Sequence, residues 1–219
     1  MLDLLHACGA WTRASLLDLP GFGSPVTARL PVRLEELTAV AAGCLPAPPA
    51  PPVVLLGHST GAQLALRAAA AYPARVAALV LVGITFTPDV RANHLRLVPQ
   101  LRTYLHERPR ELVVTAPDYA RGRWRVVRYV EEALRDAPEA HLPGLTCPVV
   151  VLRGRRDALC PEPFARALAA RARDGSAVTL PGSHNVPYTH PGAVALHVGL
   201  AARRVVEARL SPPSAAGRG

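Results

Sequence analysis

The stretch 52–72 constrains the fold of this chain more than any other. It reads PVVLLGHSTGAQLALRAAAAY, so a short apolar run breaks into Gly57-His58-Ser59-Thr60-Gly61 and continues as an alanine- and leucine-rich segment that Pro73 ends. The pattern predicts a strand, a sharp turn and a helix, with Ser59 at the apex. A residue at such an apex adopts an uncommon backbone conformation, which lifts its side chain clear of the sheet.

The residues beside Ser59 fit this geometry. Because strand and helix approach closely at the turn, we expect both Gly57 and Gly61 to be required for their small size. The first turn of the helix presents free N–H groups and the positive end of the helix dipole. The N–H of Thr60 is therefore expected to bind an oxyanion that develops beside Ser59.

Bulk properties exclude several classes of protein. The 219 residues fit one domain, and no apolar run approaches the length of a membrane span. We see no basic leader at the start of the chain and expect a cytoplasmic protein with no membrane partner. The four cysteines lack metal-ligand spacing, so we expect neither a metal nor an organic cofactor. The net charge of +9 comes from scattered arginines with no lysine, which argues against nucleic-acid binding.

The order of predicted elements indicates an α/β fold with a mostly parallel sheet flanked by helices. A helical insertion at 87–142 divides a core of residues 1–86 and 143–210, and residues 211–219 are predicted to form a disordered tail. The predicted strands are 13–19, 53–56, 75–84, 147–153 and 177–180. The predicted helices are 1–11 (the end of a longer helix), 33–43, the segment after Ser59, 163–173 and 192–209.

Three candidate catalytic residues each follow a predicted strand. Ser59 needs a base to take its proton, and the base needs an acid to fix its tautomer. His184, in a Pro-Gly-Ser-His loop, is the predicted base, with His190 as a competitor; Asp157, in Gly-Arg-Arg-Asp, is the predicted acid. Because parallel strands end at one edge of a sheet, these three side chains are expected to meet there.

Two other polar residues near predicted strand ends are weighed against this assignment. Asp89 is the alternative acid, because it follows the predicted strand 75–84. His58 stands beside the nucleophile, and we interpret it as a structural hydrogen-bonding residue rather than the base.

Four segments together resemble the α/β-hydrolase fold family, with a helical cap. They are LDLPGFGS (17–24), VLLGHSTGA (54–62), CPVVVLRGRRD (147–157) and LPGSHN (180–185). The resemblance implies a triad of Ser59, Asp157 and His184 in the family's chain order, and a cap at 87–142. The cap arginines Arg121, Arg123, Arg125 and Arg128 hint at an anionic substrate group, although a solvated helix face is the favoured interpretation.

The sequence departs from the family pattern at its front. Family members have further strands before the LDLPGFGS segment, one of which leads into the loop that supplies a second oxyanion N–H. Only residues 1–12 precede the predicted strand here. We therefore expect a weakened enzyme, elements supplied by a partner, or a chain that starts downstream of its true beginning. Exposed sheet edges would favour homo-oligomers.

Two hypotheses follow from these observations. The first is a serine hydrolase that cleaves an ester, thioester or related acyl bond of a small-molecule substrate, with acyl transfer and cofactor-free perhydrolysis as variants that use the same triad. The second is a catalytically impaired relative that binds a ligand or a partner.

Overall fold

The computed structural model describes residues 1–17, 33–96, 98, 101–107, 109, 113, 116–117, 120 and 124–210. Within these ranges four strands form one sheet: β1 (Val53–His58), β2 (Val76–Val82), β3 (Val149–Gly154) and β4 (Gly175–Leu180). The strands are all parallel and lie side by side in chain order. This arrangement confirms the predicted parallel sheet.

Helices cover both faces of the sheet and connect its strands. Three 3₁₀ segments accompany them, at Pro73–Arg75, His94–Arg96 and Leu101–His106. The described α-helices are α1 (Leu2–Gly9), α2 (Leu34–Gly43), α3 (Thr60–Ala71), α4 (Pro88–Ala92), α5 (Trp124–Arg135), α6 (Pro138–His141), α7 (Glu162–Arg171), α8 (Val186–Thr189) and α9 (Pro191–Leu210).

The core lies in two layers because successive side chains of a strand point to opposite faces. On β2, Leu79 and Leu81 pack on one face of the sheet, against α3 and α7. Val80 and Val82 pack on the other face, in the cluster that includes buried residues of α1 and α9. All four side chains are fully buried, and β2 lies beside β3 at the centre of the sheet.

Several of the sequence predictions fall partly or wholly outside the described residues. Residues 13–17 lie in no strand, so the strand predicted at 13–19 is wrong over that part. The remainder of that strand, most of the LDLPGFGS segment and the tail 211–219 lie outside the described residues. In the described part of the chain β1 pairs only with β2. Association into homo-oligomers through exposed sheet edges stays a prediction.

The segment between β2 and β3 is helical wherever the structure describes regular elements. The sequence also shows a weak strand pattern at 112–115; of these residues the structure describes only Val113, which is helical. In the described ranges, no helix is both long enough and apolar enough to cross a bilayer.

Candidate active site

Ser59 occupies the turn between β1 and α3. Its backbone angles are φ 57° and ψ −127°, a conformation that non-glycine residues rarely adopt. The Ser59 N–H donates to the carbonyl oxygen of Val82 at 2.9 Å, and the Ser59 carbonyl accepts from the N–H of Ala62 at 2.9 Å. The turn is therefore anchored to the central strand on one side and to the helix on the other, which offsets a strain of about 1–3 kcal/mol.

Gly57 and Gly61 differ in how much space their surroundings leave for a side chain. A Cβ on Gly57 would lie 2.3 Å from the carbonyl oxygen of Gly61 and 2.6 Å from the Cα of Ala62, so only glycine fits. Among the described residues, a Cβ on Gly61 would meet nothing within 4 Å. The prediction that both residues are required for close packing is wrong for Gly61, because its missing side chain points away from the strand–helix contact.

This difference gives a matched pair of substitutions. Gly57→Ala is expected to lower the free energy of unfolding by several kcal/mol or to prevent folding, because both clashing atoms belong to the backbone. Gly61→Ala is expected to fold and to gain up to about 1 kcal/mol, because alanine favours a helix over glycine. Urea unfolding of the two variants would measure this difference. Equal losses in both would contradict the packing described for the turn between β1 and α3.

Ser59, His184 and Asp157 form a continuous line of hydrogen bonds. The Nε2 atom of His184 lies 3.0 Å from Ser59 Oγ, and its Nδ1 atom lies 3.1 Å from Asp157 Oδ2. With Nδ1–H donating to the carboxylate, Nε2 is left as an acceptor for the serine hydroxyl. His184 and Asp157 are buried, at 2% and 1% exposed, whereas Ser59 is only partly buried. The three residues that the sequence analysis singled out are thus brought together at the carboxyl edge of the sheet.

The Asp157 carboxylate is held in its ionised form. Burial by itself raises the pKa of Asp157, but the attraction of His184 and three hydrogen bonds outweigh burial and bring this pKa below its usual value. The three donors are His184 and the backbone N–H groups of Leu159 and Cys160, which contact Oδ1 at 3.0 and 3.1 Å. The carboxylate therefore stays charged at neutral pH and can fix the tautomer of His184.

Arg153 organises the loop that carries Asp157. Its guanidinium is buried, although it extends from the apolar strand β3. It donates to the carbonyl oxygens of Cys160 at 2.6 Å, Asp157 at 3.1 Å and Arg155 at 3.3 Å. This role was not predicted from the sequence, where the available signal was a charged residue inside the run VVVLRG.

Gly83 is a second residue that the sequence analysis missed. It follows β2 with a φ of +54°, and a Cβ there would lie 3.1 Å from both Asp157 Oδ2 and His184 Nδ1. Glycine at this position lets the acid and the base approach the end of β2. The available sequence signal was a glycine near the end of the apolar run 75–84.

His58 supports the triad without belonging to it. Its Nε2–H donates to the backbone carbonyl of His184 at 3.0 Å, and the two ring centroids lie 5.0 Å apart. Desolvation, together with the nearby His184, lowers the pKa of His58 to about 3. The ring is therefore neutral at working pH, which agrees with the structural hydrogen bond expected from the sequence.

The neutral state of His58 predicts a pH dependence of stability. An unfolded chain protonates this imidazole below its ordinary pKa of 6.5, whereas the folded chain does so only near pH 3. Between these values the unfolded state binds more protons, so the free energy of unfolding falls as the pH falls, by about 1.4 kcal/mol per pH unit from this group.

The comparison of the native chain with His58→Gln isolates this contribution, because glutamine cannot titrate but keeps an N–H donor. Between pH 6.5 and pH 5 the native chain is expected to lose about 2 kcal/mol more than the variant in urea unfolding. A parallel decline of both proteins would show that His58 is not buried in its neutral form.

The alternative acid and base lie elsewhere. The Asp89 side chain is 77% exposed and pairs with Arg96 at 3.2 Å. His190 is partly buried, and its Nδ1 lies 2.9 Å from the hydroxyl of the adjacent Thr189. Asp89 is therefore excluded by its exposure as the partner of a buried histidine, and His184 is the histidine in contact with Ser59.

Thr60 is the first residue of α3, so its N–H has no acceptor within the helix. It directly follows Ser59, where a helix N-terminus stabilises negative charge.

Among the arginines of the predicted cap, Arg121 and Arg123 lie outside the described residues. Arg128 is exposed beside Glu131, whereas Arg125 is buried and its guanidinium lies over the Trp124 ring. The prediction that these arginines form a solvated helix face is therefore wrong for Arg125.

Comparisons with known proteins agree with this fold. The model of the alpha/beta hydrolase family matches residues 2–197. Because this match covers more than half of the chain, the chain belongs to the alpha/beta hydrolase family. No curated protein matches the sequence.

Three solved structures illustrate the structural similarity. An esterase from Thermogutta terrifontis with malate bound has a TM-score of 0.69 at 21% identity, over 93% of this chain and 85% of that one. A hydrolase from Oleispira antarctica has a TM-score of 0.73 at 12% identity, over 91% and 86%. A serine hydrolase involved in carbazole degradation has a TM-score of 0.70 at 15% identity, over 93% and 84%. At these identities the similarity concerns the fold.

Proposed function

We propose that the chain is a serine hydrolase that cleaves an ester, thioester or related acyl bond. The observation that carries the proposal is the line of hydrogen bonds from Ser59 through His184 to Asp157, with heavy-atom distances of 3.0 and 3.1 Å. Such spacing allows proton transfer from the hydroxyl to the imidazole as the oxygen attacks a carbonyl carbon. Membership of the alpha/beta hydrolase family supports the same chemistry.

The reaction proceeds in two halves. Ser59 Oγ bonds to the acyl carbon while its proton passes to His184 Nε2, and the carbonyl oxygen becomes an oxyanion near the N–H of Thr60. His184 then gives this proton to the leaving alcohol or thiol as the bond to it breaks, which leaves an acyl group on Ser59. A water molecule, deprotonated by His184, releases the acid and restores the hydroxyl.

Asp157 acts through His184. Its negative charge stabilises the imidazolium that exists between the two proton transfers, and its hydrogen bond keeps the ring oriented. The strained backbone at Ser59 fixes the hydroxyl at the start of α3, where the Thr60 N–H is available. We further propose that residues 87–142 form a cap over the core of residues 1–86 and 143–210, and that the cap encloses the acyl substrate.

Hydrolysis of p-nitrophenyl acetate and p-nitrophenyl butyrate tests this function. The purified chain is expected to release p-nitrophenolate with saturation kinetics. Mixing enzyme and ester rapidly should give a burst approaching one product per chain if acyl-enzyme hydrolysis is the slow step. Absence of both turnover and burst would favour the alternative, a catalytically impaired relative that binds a ligand or a partner.

A further inference from the structure

A buried contact joins the segment 101–107 to both loops that carry the acid and the base. Thr103, within the 3₁₀ segment Leu101–His106, is fully buried. Its hydroxyl lies 2.8 Å from Ser183 Oγ, and Ser183 Oγ donates to the backbone carbonyl of Thr103 at 2.9 Å. Because the Ser183 hydroxyl proton is used in that hydrogen bond, the Thr103 hydroxyl can donate to Ser183 Oγ. Each residue then donates one hydrogen bond to the other.

The same hydroxyl also reaches the acid loop. The N–H of Ala158, next to Asp157, donates to Thr103 Oγ1 at 3.4 Å, and the carbonyl of Arg156 lies 3.2 Å from that oxygen. Ser183 is the residue directly before His184. One threonine side chain therefore bonds to an immediate neighbour of the acid and to the immediate neighbour of the base.

The remainder of the segment holds the base loop from its other side. The Glu107 carboxylate accepts from the N–H of Asn185, the residue directly after His184, at 2.9 Å. The Tyr104 ring meets the His184 ring edge-on, with centroids 6.2 Å apart. His184 is thus fixed at the residues before and after it and contacted at its ring by one short segment of the chain.

We propose that Thr103 is a positioning residue that ties the Asp157 loop to the His184 loop and keeps the two side chains at hydrogen-bonding distance. The loops follow two different strands, β3 and β4, and a hydrogen bond between buried hydroxyls resists their relative movement. Catalytic groups misplaced by even about 1 Å lose much of their rate advantage. The kinetic part of this inference rests on the proposed hydrolase function.

Thr103→Val removes the hydroxyl and keeps the volume. It is expected to lower kcat for p-nitrophenyl butyrate by about ten- to thirtyfold and to leave KM within about twofold. Thr103→Ser retains the hydroxyl and is expected to restore most of the rate. Ser183→Ala should lower kcat to a similar extent, and the double variant should lose little more than the worse single one, because both changes break the same pair.

Thr38→Val is the matched control. Thr38 is also a buried threonine whose hydroxyl donates to a backbone carbonyl, that of Leu34 at 2.7 Å, but it lies within α2. This variant is expected to lose stability and retain kcat. A kcat loss in Thr38→Val equal to that of Thr103→Val would overturn the proposal, as would a Thr103→Val variant whose kcat stays within twofold or that changes only KM.

A measurement without turnover separates this inference from the proposed function. The proton shared by His184 Nδ1 and Asp157 is buried and should give a downfield proton NMR signal in the native chain and in Thr38→Val. In Thr103→Val we expect that signal to broaden or vanish. If the native chain hydrolyses no ester but the signal still depends on Thr103, the hydrolase proposal fails and the positioning role stands. An unchanged signal in Thr103→Val, or none in the native chain, overturns the positioning role.

Discussion

Ser59→Ala is expected to lower the turnover of p-nitrophenyl esters by about 10⁶-fold, the scale on which serine hydrolases lose rate without their nucleophile. The Ser59 hydroxyl lies 3.0 Å from His184 Nε2, so its removal takes away the nucleophile that this imidazole would activate. The variant should fold like the native chain, because alanine keeps the Cβ and removes only an oxygen. The measurement is kcat for both esters, with circular dichroism as a check of folding.

Ser59→Gly provides a control on the backbone geometry of the turn between β1 and α3. Because Ser59 has a φ of 57°, glycine relieves the backbone strain, and this variant is expected to be inactive yet more stable by about 1 kcal/mol or more. Retention of more than a few per cent of native turnover by either variant would contradict the role of Ser59. A Ser59→Gly variant less stable than Ser59→Ala would contradict the strained backbone.

Asp157→Asn is expected to lower kcat by about 10⁴-fold. An asparagine amide can donate to His184 Nδ1, which moves the imidazole proton to Nε2 and leaves no acceptor for the hydroxyl of Ser59. The N–H groups of Leu159 and Cys160 can still be satisfied by the amide oxygen, so the loop should keep its shape. The assay is kcat at neutral pH, where the low pKa of Asp157 keeps the native carboxylate ionised.

Asp89→Asn is the matched control for that substitution. Asp89 was the alternative acid in the sequence and lies exposed beside Arg96. Its replacement is expected to change kcat by less than twofold. The opposite result, with Asp89→Asn inactive and Asp157→Asn active, would show that Asp89 rather than Asp157 is the acid.

Residues next to strand ends were predictable because local pattern and topology determine them. An apolar run followed by a small-residue turn marks a strand end, and parallel strands bring their carboxyl ends together. This is why Ser59, Asp157 and His184 could be singled out without coordinates. The parallel sheet was accessible for the same reason, and the family was accessible from the resemblance of four segments; both predictions are confirmed.

The supporting contacts were not predictable, because they depend on how distant segments meet. Thr103 and Ser183 are 80 residues apart. Thr103 stands in no motif, and the LPGSHN segment pointed to His184 rather than to Ser183. The demand for small size at Gly57 but not Gly61 depends on the direction of each absent Cβ, which a symmetric Gly-x-Ser-x-Gly pattern does not reveal. The strand predicted at 13–19 failed over residues 13–17, because alternating apolar residues do not ensure a pairing partner.

The most direct measurement is covalent labelling of the native chain by a fluorophosphonate, followed by intact-mass analysis and peptide mapping. The reagent reacts with a serine that an adjacent base has activated, so the result does not depend on knowing the natural substrate. We predict one adduct per chain, located on Ser59 and absent from the heat-denatured chain and from Ser59→Ala. An unlabelled native chain, or an adduct on another residue, would contradict the assignment of Ser59, His184 and Asp157 as a working triad.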